Sequence, residues 1–419
     1  MSAPTNPEKP RKPLKPLDEA LAELLVQAAP LIGVDTVSLF EADGRVLAHR
    51  AVSPLQVPLL DNSAMDGYAL RCADVAQLGT VLPVSQRIPA GSVGTALQPG
   101  TAARIFTGAP IPAGADTVLM QEDCTALDDA KVRINAAPQL HQWIRRAGED
   151  IALGSEVLRA GTRLTPAERG LAASIGLAQL AGARRPRVAL FSTGDELVMP
   201  GDVAPQDLPP GHIYNSNRFF LRALLVRLGC EVTDLGIVPD RLDATIAALR
   251  SASSGHDVIL TSAGVSVGEE DHVKPAVEAL GRLHLWQIGM KPGKPFAYGQ
   301  IDNPQGAAHF MGLPGNPVAS LMAFLLLVRP FVLRLQGVDK VAPAVTPMRA
   351  DFACAKADAR REFLRVRRNA DGGLDLFRNQ SSGVLTSTAW GDGVVDNPAG
   401  QTIAPGDMVS FMSFAELLS

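Results

Sequence analysis

Residues 258–274 read Val-Ile-Leu-Thr-Ser-Ala-Gly-Val-Ser-Val-Gly-Glu-Glu-Asp-His-Val-Lys. A short apolar run ends in a turn of small residues that carries two hydroxyls, Ser262 and Ser266, on either side of Gly264. Three carboxylates follow at once, Glu269, Glu270 and Asp271. Small residues at a strand end leave backbone N–H groups open to an oxyanion. Carboxylates beside a phosphate suit a hard divalent cation. The chemistry predicted is a nucleotide or phosphate ester held together with a metal.

Three further turns are built alike. Phe191-Ser-Thr-Gly-Asp-Glu196 offers Ser192, Thr193 and Gly194 to an oxyanion, with Asp195 and Glu196 alongside. Met290-Lys-Pro-Gly-Lys-Pro295 sets Lys291 and Lys294 on a stiff proline-bounded loop, which can hold both toward one anion at reduced entropic cost. Gly312-Leu-Pro-Gly-Asn-Pro317 supplies Pro314, Gly315 and Asn316, with Asn316 placed to N-cap a helix that begins at Pro317. Any one turn also reads as an ordinary connection, and lysines alone read as surface charges. Together they carry weight, because all four fall at predicted C-terminal strand ends, where an open α/β sheet binds its ligands.

The elements that must position these turns follow a strand–helix rhythm. Val188–Phe191 precedes a helix from Asn217 to Leu228, Cys230–Val238 a helix near 241–252, and Val258–Leu260 a helix near 273–280. Leu283–Ile288 and His309–Leu313 lead to a last helix from Pro317. This predicts an open, mostly parallel α/β domain over 185–335. The apolar run Leu321 to Val328 reads as a buried core helix that stops at Arg329-Pro330, too short to span a bilayer. Residues 1–16, with five prolines, read as a disordered tail. A helix starts near Asp18, and Thr165 N-caps another with Pro166 at its first position. The Gly- and Pro-rich stretch 50–150 reads as a small β-rich domain, and 336–419 as a β domain with a hairpin from Phe363–Val366 and Leu374–Phe377.

The β-rich stretch adds acids on loops. Asp61-Asn-Ser-Ala-Met-Asp-Gly-Tyr68 holds two, Arg104-Ile-Phe-Thr-Gly-Ala-Pro110 presents Thr107, and Arg145-Arg-Ala-Gly-Glu-Asp150 reads equally as a surface ion-pair cluster. No pattern singles out Arg365 or Ser382, since Arg361, Arg367 and Arg368 compete as strand-edge charges.

Composition narrows the function classes. The 419 residues are 46% hydrophobic and 20% charged, an ordinary globular balance. A net charge of −4 and only 5% aromatic residues give no footprint for nucleic acid. Four scattered cysteines form no C-x-x-C pair, which argues against a disulfide framework and fits a reducing cytoplasm. No secretory or membrane segment is expected.

Seven motifs stand in one order: Asp61-Asn-Ser-Ala-Met-Asp-Gly-Tyr68, Thr107-Gly-Ala-Pro110, Arg146-Ala-Gly-Glu-Asp150, Ser192-Thr-Gly-Asp-Glu196, Gly264-Val-Ser-Val-Gly268 with Asp271, Lys291-Pro-Gly-Lys-Pro295 and Leu313-Pro-Gly-Asn-Pro317. In that order the chain closely resembles the molybdopterin molybdenumtransferase family, the MoeA and gephyrin E-domain family, from about Asp18 onward. The resemblance implies an α/β multidomain chain. Its parts are a discontinuous elongated linker domain (17–49 and 151–184), an inserted β-rich domain (50–150), the α/β molybdopterin-binding domain (185–335) and a C-terminal β-barrel-like domain (336–419).

It implies insertion of molybdate into adenylylated molybdopterin with release of AMP, Mg²⁺ as cofactor, and a homodimer with a composite site. By the same resemblance Asp195, Glu196, Asp240 and Asp271 hold Mg²⁺. Lys291 and Lys294 meet the molybdate, joined by Ser266, Arg365 and Ser382. Asp66, Thr107 and Asp150 close the site from the other subunit. Ser192, Thr193, Gly194, Ser262, Gly264, Pro314, Gly315 and Asn316 surround the nucleotide–pterin phosphates. Molybdopterin adenylyltransferase and cofactor-accepting molybdoenzymes are the expected partners at handover. The chain departs from the family at Ala263 (usually glycine), at Ala319 with Ser320 following (usually serine first), at Gln287 (lysine in some relatives) and at Asn215 (commonly aspartate). Three alternatives stand beside this reading: a molybdopterin adenylyltransferase, a non-catalytic gephyrin-like scaffold and a tungstate-preferring paralogue.

Overall fold

The structure is a computed structural model that describes residues 14–264, 272–304 and 306–418. Its contacts divide the chain into two units. One comprises Met1–Asp35, Gly44–Ala48 and Ala181–Ser419, the other Thr36–Asp43 and His49–Leu180.

In the first unit a six-stranded sheet runs in the order Glu231–Val238, Arg187–Thr193, Val258–Ser262, Gly306–Leu313, Pro295–Asn303, Gly281–Gln287. The first four strands are parallel and the last two turn antiparallel. The central strands are apolar throughout because both faces are covered, and alternate residues serve alternate cores. Val188, Leu190, Val258 and Leu260 pack with Leu221 and Leu225 of helix Ser216–Arg227 and with Leu24 of helix Leu17–Val26. Ala189, Phe191 and Ile259 pack instead with Leu249 of helix Leu242–Ser253 and Val277 of helix Val273–Leu280.

The chain leaves Arg187–Thr193 for the strand on one side and returns to Val258–Ser262 on the other. That reversal opens a crevice between the C-terminal ends of those two strands. Ser192 to Glu196 and Ser262 to Gly264 are the residues at its mouth.

Two sequence expectations are corrected. Strand Pro295–Asn303 was not foreseen, because Gly299 and its polar tail break both periodicities. The last helix does not stop at Arg329-Pro330 but runs from Pro317 to Leu335. Proline inside a helix lacks an N–H and clashes with the carbonyl four residues back. Here a π-helical turn, Phe324–Val328, widens the helix immediately before Pro330 and makes room for the ring. The helix is long and apolar enough to cross a membrane, yet its side chains lie almost wholly in the domain core.

The C-terminal sheet of the same unit runs Met290–Lys291, Arg361–Arg368, Gly393–Asn397, Met408–Ser413, Thr346–Arg349, and Leu374–Leu376 forms the expected hairpin with Arg361–Arg368. Its first strand is borrowed: Met290 and Lys291 pair in parallel with Arg361 and Glu362.

The second unit holds a six-stranded sheet in the order Thr117–Met120, Gly67–Leu70, Ala102–Ile105, Val81–Ile88, Lys131–Ile134, Cys124–Leu127. Its helix Pro166–Ser174 starts with a capping box, in which Thr165 Oγ1 accepts from Ala167 N and Thr165 N donates to Glu168 Oε2 at 2.9 Å.

Candidate active site

Ala263 N donates to Leu313 O at 3.0 Å, so the sheet continues one residue into the turn. Ala263 then takes φ 77° and Gly264 φ 73°. A Cβ on Gly264 would lie 2.3 Å from Val273 Cγ2 and 3.0 Å from Thr193 Oγ1, so the crevice closes to this width only around glycine.

Asn217, in the first turn of its helix, ties two turns together. Its Nδ2 donates to Ser262 Oγ and to Gly315 O, each at 2.7 Å. Asn215 is the N-cap, with Oδ1 accepting from Arg218 N at 3.2 Å. Its Nδ2 is buried and finds no partner among the described residues, nor does Ser192 Oγ. Buried polar atoms are rarely left unpaired, so orphans beside a cavity point to a ligand.

Two cavities meet here. One, of about 540 Å³, is lined by Glu196, Asn215, Asn217, Ser262 and Gly383 among others. The other, of about 530 Å³, is lined by Gly264, Lys291, Lys294, Pro314, Arg360 and Ser382 among others. Ala263, Gly315 and Asn316 belong to both walls.

Asn316 stands at the N-cap position but makes no side-chain cap bond, contrary to expectation. Pro317 has removed one N–H, and Val318 N donates to Ser382 O at 2.9 Å, so the helix end is satisfied by the C-terminal domain and the amide is left on the cavity wall.

The second cavity is the cationic one. Gly293 at φ 113° carries the Lys-Pro-Gly-Lys loop past helix Pro317–Ala323, where a Cβ would lie 2.4 Å from Met290 Cε and 3.2 Å from Ala319 O. Lys294 is exposed and has no ion-pair or side-chain hydrogen-bond partner among the described residues. Lys291 is engaged: its Nζ lies 2.8 Å from Glu362 Oε1 and 3.1 Å from Asp358 Oδ2. Glu362 above all, then Asp358, raises the Lys291 ammonium above its ordinary pKa, so it stays charged.

Arg365, expected at the molybdate, is 1% exposed and absent from both cavity walls. Its Nη1 donates to Phe363 O at 2.9 Å, its Nε to Ser387 Oγ at 3.2 Å and its Nη2 to Ser381 O at 3.3 Å. Burial pushes the guanidinium down to about 10, still protonated at neutral pH. Arg365 therefore braces the segment that brings Ser382 to the cavity.

Ser192 and Thr193 are buried behind the wall rather than on it. Asp195 and Glu196 are exposed, and Asp240 N donates to Asp195 Oδ1 at 3.2 Å. Three carboxylates are a donor set that fits a hard cation such as Mg²⁺ in kind. Among the described residues, however, no three acidic, histidine or cysteine side chains converge. Asp271, the fourth expected donor, lies outside the described residues, as does Ser266.

In the second unit Asp66 Oδ1 accepts from both Thr107 N and Thr107 Oγ1 at 2.8 Å. These bonds, the backbone one first, hold the Asp66 carboxyl below its ordinary pKa. Asp150 is exposed in that unit, and its N–H donates to Val57 O at 3.1 Å.

Sequence reasoning passed over Asn217, Asp358, Arg360 and Glu362. The stretch Tyr214-Asn-Ser-Asn217 at a helix start was the available signal for Asn217. The ionic trio sits in a polar run whose partner, Lys291, is about seventy residues away, and distant pairing leaves no local pattern.

Comparison with known proteins agrees along the chain. Residues 15–176 match the MoeA N-terminal region (domain I and II), residues 189–334 a probable molybdopterin binding domain, and residues 347–414 the MoeA C-terminal region (domain IV). A molybdopterin molybdenumtransferase of Haemophilus influenzae is 41% identical over 86% of this chain and 88% of its own. One from Nostoc sp. is 38% identical over 88% of this chain and 86% of its own. The crystal structure of the molybdopterin biosynthesis MoeA protein from Pyrococcus horikoshii OT3 superposes with a TM-score of 0.83 at 26% identity, covering 96% of this chain and 100% of that one.

Proposed function

The chain belongs to the molybdopterin molybdenumtransferase family, and from that premise we propose that it is a transferase of molybdenum cofactor biosynthesis. Its substrates are molybdate and adenylylated molybdopterin, and AMP is released. The observation that carries this reading is the pair of cavities sharing one wall. Lys291, Lys294 and Arg360 line a space suited to a tetrahedral dianion, and hydroxyl, amide and carboxylate groups line its neighbour.

The place of each residue supports the task proposed for it. Lys294, without an ion-pair partner among the described residues, offers its charge to molybdate. Asn316 and Ser382 face the same space and can donate to its oxygens. Asn215 and Ser262 serve the adenylylated pterin, and Asn217 keeps the two supporting turns at fixed separation. Asp195, Glu196 and Asp240 would hold Mg²⁺, with Asp271 as the fourth donor. Held there, the ion would supply positive charge to the pyrophosphate. The four-domain division of the family and a homodimer belong to the same proposal, with Asp66, Thr107 and Asp150 contributed by the partner subunit.

The deciding experiment measures AMP release from adenylylated molybdopterin with and without molybdate. Molybdate-dependent release is expected. Normal pterin binding without any release would refute the enzyme and favour a scaffold.

A further inference from the structure

Arg360 lines the cationic cavity beside Lys291 and Lys294. Its guanidinium is clasped by Asp358. Nε donates to Oδ1 and Nη2 to Oδ2, both at 3.0 Å, and Arg360 N donates to Oδ1 at 3.0 Å as well. The same Asp358 Oδ2 lies 3.1 Å from Lys291 Nζ. One carboxylate thus bridges two cations with two oxygens, the arrangement two oxygens of a tetrahedral oxyanion would adopt.

The two acids of this cluster are held differently. Glu362 lies in strand Arg361–Arg368, is 4% exposed, and meets Lys291 from within the sheet. Asp358 lies in a segment without regular structure. Its backbone is fixed by Gly400 N donating to Asp358 O at 2.7 Å, and its side chain remains partly exposed. The Asp358 side chain can therefore rotate out to water while the backbone stays, and the Glu362 side chain cannot.

We propose that Asp358, which clasps Arg360 and meets Lys291, is a built-in stand-in for the oxyanion. It holds Arg360 and Lys291 until the incoming dianion displaces it. The inference rests on the cavity being the molybdate site. Charge supports it. With Asp358 in place, three cations face two acids among the described side chains. With Asp358 swung out, three cations face Glu362 alone, and two positive charges remain to match a dianion. A carboxylate left between the cations would instead repel the ligand.

The test is calorimetric binding of molybdate alone to the full-length protein and its variants, each checked by thermal unfolding. Asp358→Asn keeps the shape but removes the competing charge, so molybdate should bind about three- to tenfold tighter. Arg360→Ala should bind it about tenfold more weakly, with Arg360→Lys between them because it keeps charge and loses the fork. Weaker binding by Asp358→Asn would make Asp358 a positioning residue only and overturn the stand-in. Unchanged affinity in both Arg360 variants would overturn the stand-in as well. These failures are separable from failure of the proposed function, because in that case the wild-type protein itself would bind no molybdate and both readings would fall.

Discussion

Ala263 sits in the left-handed region at φ 77°, where a Cβ crowds its own backbone. Such a conformation costs an L-residue about 1 kcal/mol or more. Ala263→Gly removes that strain but frees the unfolded chain, so a net gain of about 0.5 kcal/mol is expected, read as a small rise in Tm. A fall in Tm would mean that the Ala263 methyl packs usefully. The two lysines should separate. Lys294→Ala should weaken molybdate binding with no change in Tm, because the exposed ammonium has no ion-pair partner among the described residues. Lys291→Ala should also destabilise the fold by about 2 kcal/mol, since it strands the buried Glu362 carboxylate; the figure sits below that for a fully buried pair because Lys291 keeps part of its water. The double variant Lys291→Ala/Glu362→Gln should then recover stability without recovering molybdate use. If Lys291→Ala melts like wild type, the ion pair is not holding the loop.

Strand Gly306–Leu313 carries a second expectation at the level of elements. His309 is half-buried against Phe331, with Nδ1 2.9 Å from the Tyr298 hydroxyl, and desolvation pushes its imidazole from 6.5 down to about 4. Below pH 6.5 the unfolded chain takes up a proton that the folded chain refuses. Stability should therefore fall as pH drops from about 6.5 to 4, by up to about 3 kcal/mol. Urea denaturation at pH 7 and pH 4.5 should show this loss, and His309→Gln should reduce it; equal losses in both proteins would clear His309 of the effect. The strand–helix rhythm around this residue was legible in sequence because each central strand is apolar on both faces and each helix on one. The turns were legible because small residues at strand ends have few other uses. Pro330 misled, because a widened helical turn that accommodates proline has no sequence signature of its own. Arg365 could be named by resemblance, but its burial beneath Ser382 depends on how a hairpin and a distant loop meet. The Asp358–Arg360–Lys291–Glu362 cluster was hidden for the same reason.

For the whole molecule, the proposed composite site makes a quantitative claim. Asp66→Ala and Lys294→Ala each spoil a different contribution, so each homodimer should be inactive. Mixed and allowed to exchange subunits, the two should recover about a quarter of wild-type AMP release, since half the dimers are mixed and each holds one intact site. No recovery after proven exchange would place both contributions in one chain. Met290–Lys291 has a different reach. These two residues emerge from the α/β sheet and finish their hydrogen bonding as an edge strand of the C-terminal sheet. The lysine loop is therefore not portable. A fragment ending at residue 335 would keep every motif of the strand-end crevice yet lose the partner strand that shapes the lysine loop, and the two sheets should melt together as one calorimetric transition. A lineage could lengthen or trim the surrounding loops freely, but it could not shuffle these two domains apart without dismantling the cationic cavity proposed to receive the metal oxyanion.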